Sequence, residues 1–339
     1  MAGGGSRFQV QSFKLKGIYK GNVVAARDFT QVTWSAQVEE DCRRLVRLAV
    51  FEDLDRGYDW TTVSLAAEGA IASADIVARQ AGTIAGLEAA RVVLDEMDIA
   101  AQWQAYVSDG TKVMANTVLA TVSGSARDLL TSERILLNFL GRLSGIATLT
   151  TKFAEAIAGT GAHIYDTRKT TPGWRRLEKY AVHCGGGRNH RTGLFDAILI
   201  KDNHLALGRQ PGSGDRASTA SYTPAEAVER ARSFLQELHA SNQAAAEMII
   251  EVEVDSLEQL AQVLPVRPDI VLLDNMSLDQ LRQAVAMRNT AGSRTELEAS
   301  GGVTLQTVRS IAETGVERVS SGALTHSAIC LDVALDWRL

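Results

Sequence analysis

From residue 162 onward, short apolar runs alternate with amphipathic segments. The runs cover 163–166, 197–200, 248–254, 269–273, 296–299 and 318–321. Helical periodicity falls between them, at 224 to about 239, 257–264, 278–285 and 305–313. Two starts are marked: Thr223-Pro224-Ala225-Glu226 has the N-cap, N1 proline and N3 glutamate of a capping box, and Ser277 with Gln280 repeats the pattern. Repeated β–α units with short connections predict six parallel strands in one helix-covered sheet, and six or more favour closure into a barrel. An open doubly wound sheet is the alternative. The barrel is preferred because nearly every run ends in reactive side chains: Arg168 and Lys169, Lys201, Glu253, Asp274, Ser300, and Ser321-Gly322.

The first 140 or so residues have a different texture. Residues 39–54 read as an amphipathic helix with Leu45, Leu48 and Phe51 on one side, while 71–84 and 102–123 alternate apolar and polar residues with Gly and Asn breaks, as hairpins do. A helix-rich stretch from 129 to about 158, carrying Glu133, Arg134 and Asn138 among leucines, leads onward. The expected fold class is α/β: a smaller α+β sandwich domain over 28–145, then an incomplete, TIM-like parallel α/β barrel over 146–328. Residues 207–222, with three Gly, one Pro and several Ser and Thr, read as a surface insertion.

Composition narrows the class. A chain of 339 residues, 45% hydrophobic, suits about two domains with a sizeable core. The net charge of −5 argues against nucleic-acid or anionic-membrane partners, so any anion site is a local pocket. Cys42, Cys184 and Cys330 are too few and scattered for a disulfide framework or thiolate zinc site and suit a reducing compartment. With no apolar stretch in Met1-Ala-Gly-Gly-Gly-Ser6 and no run of 18 uncharged apolar residues, the expectation is a cytoplasmic protein with a flexible first few residues.

Such a pocket is legible just past the strand ends. Arg168, Lys169, His190, Arg191 and Lys201, with His204 nearby, recur at the same place in successive units; cations so placed call for a substrate with several carboxylates or phosphates, although a solvated basic surface is the plainer alternative. Glu253 and Asp274 sit at matching strand ends and suit ribose hydroxyls, Mg2+ or developing positive charge, whereas Glu251 and Glu253, alternating with Val252, can also be salt-bridge partners inside a barrel. Ser300-Gly301-Gly302 and Ser321-Gly322 end the last two strands, where barrels offer backbone N–H groups to a phosphate. Arg175, Arg176 and Lys179 read as a solvated helix face in preference to a pocket rim, His163 and His326 as packing or surface residues, and His204 as a helix cap or loop tether in preference to a catalytic group. Cys184 lacks an activating partner, and Gly185-Gly186-Gly187 lacks the strand–turn–helix context of a dinucleotide site.

Taken in order, these pieces resemble a known family. Ser132-Glu133-Arg134, Leu137-Asn138, Ser144-Gly145-Ile146-Ala147, Asp166-Thr167-Arg168-Lys169-Thr170-Thr171-Pro172-Gly173, Glu178-Lys179-Tyr180-Ala181, Gly185-Gly186-Gly187 with Asn189-His190-Arg191, Lys201-Asp202-Asn203-His204, Glu251-Val252-Glu253-Val254, Leu272-Leu273-Asp274-Asn275 and Ser300-Gly301-Gly302 resemble the quinolinate phosphoribosyltransferases, over roughly residues 52–337. Departures are the segment 57–62, usually a tighter Gly-Asp followed by Thr, and the long 207–222 loop. The resemblance implies that quinolinate and phosphoribosyl pyrophosphate give nicotinate mononucleotide, pyrophosphate and carbon dioxide, with Mg2+, in NAD biosynthesis. It implies that Arg134, Arg168, Lys169, His190, Arg191 and Lys201 hold substrate anions, that Glu253 and Asp274 serve the ribose or Mg2+, and that Ser300, Gly301, Gly302, Ser321 and Gly322 hold the 5′-phosphate. It also implies a homodimer in which the residue matching Arg134 reaches the neighbouring subunit's site, with a hexamer as a further assembly left open. Two alternatives stand beside it: a Schiff-base lyase or aldolase using Lys201 or Lys169, and a related phosphoribosyltransferase of the molybdate-transport type.

Overall fold

The computed structural model describes residues 28–208, 221–239 and 247–338; most of the 207–222 insertion and the first residues of the chain lie outside them. The N-terminal part comprises α1 (Ala36–Leu54), α2 (Trp60–Leu65), β1 (Ile71–Ala78), β2 (Gly82–Thr83), α3 (Leu87–Glu96), β3 (Gln102–Ala105), β4 (Lys112–Val113) and β5 (Thr117–Ser125), followed by α4 (Ala126–Ala156). Ser35 caps α1, whose buried stripe is Val38, Cys42 and Val46; Leu48 and Phe51 point outward, contrary to the face expected from their spacing. The 71–84 stretch does not fold back on itself either. β1 pairs antiparallel with β5, while β2 pairs with β4, because Thr83 is tied to α4: its N–H donates to Thr148 Oγ1 at 2.9 Å and its hydroxyl meets Thr151 Oγ1 at 2.8 Å. The helix α3, absent from the sequence reading, is amphipathic: it buries Leu87, Ala89, Ala90, Val92, Val93 and Leu94 and turns Glu88, Arg91 and Asp95 outward.

After α4 the chain forms β6 (His163–Tyr165), α5 (Arg175–Cys184), β7 (Ala197–Ile200), α6 (Asp202–Leu207), α7 (Pro224–His239), β8 (Ile249–Val254), α8 (Leu257–Val263), β9 (Ile270–Asp274), α9 (Leu278–Thr290), β10 (Glu296–Ser300), α10 (Val308–Ala312), β11 (Arg318–Ser320), α11 (Ala323–His326) and β12 (Val333–Trp337). Six strands form one parallel sheet in the order β6-β11-β10-β9-β8-β7. That is a ring order, first-sixth-fifth-fourth-third-second, left open between β6 and β7. The expected incomplete barrel is what forms. β12 then returns to pair with β1, making the N-terminal sheet β12-β1-β5-β3. This return presses on α4 so closely that a Cβ on Gly145 would lie 2.1 Å from the Ile329 carbonyl oxygen; glycine is required there.

Strand alternation divides the barrel residues between two environments. Ile198, Ile200, Ile250, Val252, Val254, Val271, Leu273, Leu297, Ala299 and Val319 pack outward against the helices. Their neighbours face inward: Ala197, Ile249 and Ile270 close around Phe29 at the N-terminal end, Glu251, Glu298 and Arg318 follow, and Lys201, Glu253, Asp274 and Ser300 stand at the C-terminal mouth. No helix among the described residues is long and apolar enough to cross a membrane.

Candidate active site

The mouth is built from residues just past the strand ends. Arg168 follows β6 and is half-buried; Arg191 lies on the segment between α5 and β7 and is 5% exposed. Each has a fully buried Nε with no hydrogen-bond partner among the described residues, and the Arg191 guanidinium makes only one contact, Nη1 to the Ala197 carbonyl at 3.3 Å. Burial, and then the charge of Arg168, push the Arg191 pKa down. Two like charges are thus held together with donors to spare, as an anion site requires. Lys201 Nζ donates to Glu253 Oε2 at 2.5 Å, and its backbone N–H donates to His204 Nδ1 at 2.9 Å, so His204 acts as the cap of α6. Asp274 accepts from Asn275 Nδ2 at 2.8 Å. Gly301 and Gly302 have left-handed φ of 96° and 59°, and a Cβ on Gly301 would strike Asn275 Oδ1 at 2.1 Å. Lys169 is exposed, with its Cδ 2.9 Å from the place a Gly322 Cβ would take.

Beneath the mouth lies a compensated charge network. Arg318, 1% exposed, donates from Nε to Glu298 and from Nη1 to Glu296 and Asp28, each at 3.0 Å, and its guanidinium stacks 3.7 Å from the Tyr165 ring centre. His190 Nε2 lies 2.9 Å from Glu251 Oε2 and 3.7 Å from Glu298 Oε1, out of line for a good hydrogen bond. Burial opposes the charge on each of these groups, but Glu251 and then Glu298 outweigh it and lift the His190 pKa, while His190, Arg318 and Arg191 hold Glu251 below the usual carboxylate range. Glu298 is raised, by burial and by Glu251.

Several expectations need revision here. Lys179 is not on a solvated helix face: it is 0% exposed and ion-paired with Asp166, also 0% exposed. A helix does form here, as α5, but the lysine lies on its inner face, where a buried carboxylate meets it. Arg176 likewise pairs with Asp41 at 2.5 Å. His190 adjoins Arg191, whose N–H its Nδ1 accepts at 2.8 Å, while its Nε2 faces Glu251. The Ser321 hydroxyl is turned inward, donating to Val303 O at 3.2 Å and accepting from Ala323 N–H at 3.3 Å. Arg134 is exposed on α4, lining a cleft of about 370 Å3 with Leu137, Asn138, Gly141 and residues 330–333, none of them a cation. Sequence reasoning missed Glu298, Arg318, Asp28 and Phe29. The first carries a signal, since Glu296 and Glu298 alternate as Glu251 and Glu253 do; Asp28 and Phe29 carry none, their partners being far along the chain.

His190, Glu251 and Glu298 place ligand-type atoms within 4.8 Å of one another, but Arg318 and His190 already balance the two carboxylates. Mg2+ favours oxygen ligands, keeps several waters and commonly takes only one or two carboxylates plus substrate phosphates. Glu253 and Asp274, half-buried carboxylates at adjacent strand ends, fit that donor set.

An open-ring α/β barrel with a polycationic, anion-seeking mouth is the class that this fold and site define. Comparison with known proteins sharpens it: family models match residues 59–144, as the quinolinate phosphoribosyl transferase N-terminal domain, and 146–336, as its C-terminal domain. The nicotinate-nucleotide pyrophosphorylase [carboxylating] of Mycobacterium leprae is 42% identical over 296 residues, covering 87% of this chain and 96% of that protein. A mitochondrial quinolinate phosphoribosyltransferase [decarboxylating] of Nicotiana tabacum is 36% identical, covering 87% and 82%. The solved nicotinate-nucleotide pyrophosphorylase of Francisella tularensis superposes with a TM-score of 0.78 at 35% identity, covering 92% of this chain and all of that one. The chain belongs to the quinolinate phosphoribosyltransferase family.

Proposed function

We propose that the protein converts quinolinate and phosphoribosyl pyrophosphate to nicotinate mononucleotide, pyrophosphate and carbon dioxide. The observation that carries this reading is the pair Arg168 and Arg191, adjacent, desolvated, and each with a buried Nε lacking a partner. With Lys201 they match a planar acid with two carboxylates. The pyridine nitrogen attacks ribose C1 as the C–O bond to pyrophosphate breaks, the leaving group keeping the electron pair. The C2–carboxylate bond then breaks, its electrons remaining on C2 beside the quaternised nitrogen until a proton adds. Glu253 and Asp274 face the ribose and stabilise positive charge on its ring in the transition state. Mg2+, arriving with the diphosphate, would be held by these same carboxylates and supply charge neutralisation to the leaving group. Lys169 faces the pyrophosphate, and the left-handed Gly301 and Gly302, with Ser300 and the Ser321-Gly322 backbone, cradle the 5′-phosphate. The Schiff-base alternative is disfavoured because Lys201 Nζ is held by Glu253 rather than free as an amine.

The working unit in this reading is a homodimer in which Arg134 of the partner subunit completes each pocket. Its support is that Arg134 stands exposed on α4, in a cleft lined by no other cation, with Leu130 exposed one turn earlier. Three free thiols suit the cytoplasm. The direct test supplies purified protein with quinolinate labelled at the 2-carboxylate, phosphoribosyl pyrophosphate and Mg2+; nicotinate mononucleotide and labelled carbon dioxide should appear in equal amounts, and no product would refute the reading. For the shared site, Arg134→Ala and Lys201→Ala proteins should each be nearly inactive, while co-refolded mixtures should recover up to about a quarter of wild-type activity through the intact site of each mixed dimer. Mixed dimers without activity would return Arg134 to its own chain.

A further inference from the structure

The segments that carry Arg168 and Arg191 are joined by one buried ion pair. Asp166 lies two residues ahead of Arg168, and His190 immediately precedes Arg191. Lys179 Nζ is bound to Asp166 Oδ1 and also donates to the His190 carbonyl at 2.9 Å. Asp166 Oδ1 accepts the His190 N–H at 2.9 Å, and Oδ2 accepts Asn189 Nδ2 at 2.7 Å, which also reaches the Lys179 carbonyl at 2.8 Å. Asn189 is gripped from the far side as well, its Oδ1 accepting the Val32 N–H at 2.7 Å and its own N–H donating to Gln31 Oε1 at 2.8 Å. All of Asp166, Lys179 and Asn189 are 0% exposed.

We propose that the Asp166–Lys179 ion pair is a positioning clamp: by holding both backbone polar groups of His190, it fixes the distance between the Arg168 and Arg191 guanidinium groups and thereby sets recognition of the dicarboxylate. Neither member touches the pocket; both act through the arginines. A buried ion pair is poor value for stability, since desolvation offsets most of its attraction and an apolar pair would serve as well. What it does supply is direction, with donor and acceptor each bonded to two segments at once. Burial pushes the Asp166 pKa up and the Lys179 pKa down, in keeping with a pair retained for geometry. Two guanidinium groups of like charge repel, so their spacing needs such a brace.

The proposal rests on the quinolinate reading for its kinetic consequence but not for its structural one, and the test separates them. Lys179→Met should raise the quinolinate KM tenfold or more while leaving the phosphoribosyl pyrophosphate KM within about twofold. Hydrogen–deuterium exchange should quicken in peptides covering residues 188–191 and not in those covering β8 to β10. An equal rise in both KM values, or unchanged exchange at 188–191, would overturn the clamp. If Lys179→Met does not fold, Asp166→Asn, which keeps the side chain's shape but removes the anionic half of the pair that holds the His190 N–H, should give the same pattern at roughly threefold in the quinolinate KM; an unchanged KM and unchanged exchange would again overturn it. Calorimetry of the wild-type protein with quinolinate alone reads the function separately: no binding there refutes the substrate assignment, while exchange at 188–191 still decides the clamp.

Discussion

The middle of the barrel and its mouth both carry buried charge, and they treat it differently. In the middle every cation meets its anion within the chain: Arg318 has Glu298, Glu296 and Asp28, Lys179 has Asp166, and His190 has Glu251. The atoms left without a hydrogen bond there, such as Glu251 Oε1 and Arg318 Nη2, belong to groups already in contact with opposite charge. At the mouth the like charge of Arg168 acts on Arg191 more strongly than Glu251 or Asp196 does, and each arginine keeps a buried Nε with no hydrogen-bond partner among the described residues. Leaving a buried donor unmet costs about 1–3 kcal/mol, more when it is charged, so a chain keeps such a place only where something else will meet it. The ligand site is where internal compensation stops. Substitutions should therefore separate by region, those at the mouth costing activity and those in the middle costing stability.

The sharpest break of this contrast comes at the mouth. Arg168→Ala and Arg191→Ala should each lower kcat/KM for quinolinate by about 10²–10³, as loss of a desolvated charged contact does, and leave thermal stability unchanged or slightly higher because a like-charge repulsion is removed. Paired kinetic and melting measurements check both halves; a large drop in Tm would mean that the arginines are structural. Next is Arg318→Met, which strands Glu298 and should cost about 3–5 kcal/mol, lowering Tm by roughly 10 °C. A denaturant titration showing under about 1 kcal/mol would contradict the claim that this network is internally balanced.

The smallest effect depends on pH. Glu251 is depressed below its ordinary 4.5, so its contribution is present above that value and fades as pH falls through the lowered one. His190 is raised above its ordinary 6.5, so its contribution is complete below that value and fades as pH rises through the raised one. The Tm difference between wild type and Glu251→Gln should thus be greatest between the two and shrink on either side. A difference that is flat with pH would show that the two groups are not coupled.

Much of this was legible in the residues. The six strands and their reactive ends could be read because parallel barrel strands alternate a helix-facing apolar residue with an inward one, and Glu251, Glu253 and Asp274 stand at the inward places. Arg168, Arg191 and Lys201 stand out by the same logic, as cations just beyond apolar runs. What could not be read was the pairing that decides whether a charge is available. Lys179 reads as solvated because its partner, Asp166, lies on another element, and nothing local to His190 announces Glu251 across the barrel. The N-terminal Asp28 and Phe29 reach into the barrel floor from more than a hundred residues away, a contact with no periodicity to betray it. α1 was placed correctly and its inner face was not, since Val38, Cys42 and Val46 are less conspicuous than the exposed Leu48 and Phe51.

The central claim, that the unmet cations at the mouth exist for two carboxylates on one ring, is tested most directly by comparing quinolinate with nicotinate, which lacks the 2-carboxylate, as the acceptor of the phosphoribosyl group. Steady-state kcat/KM for both acids, at saturating phosphoribosyl pyrophosphate and Mg2+, should differ by about 10³ or more in favour of quinolinate, because nicotinate leaves buried charged donors unpaired. Values for the two acids within tenfold of each other would contradict the account.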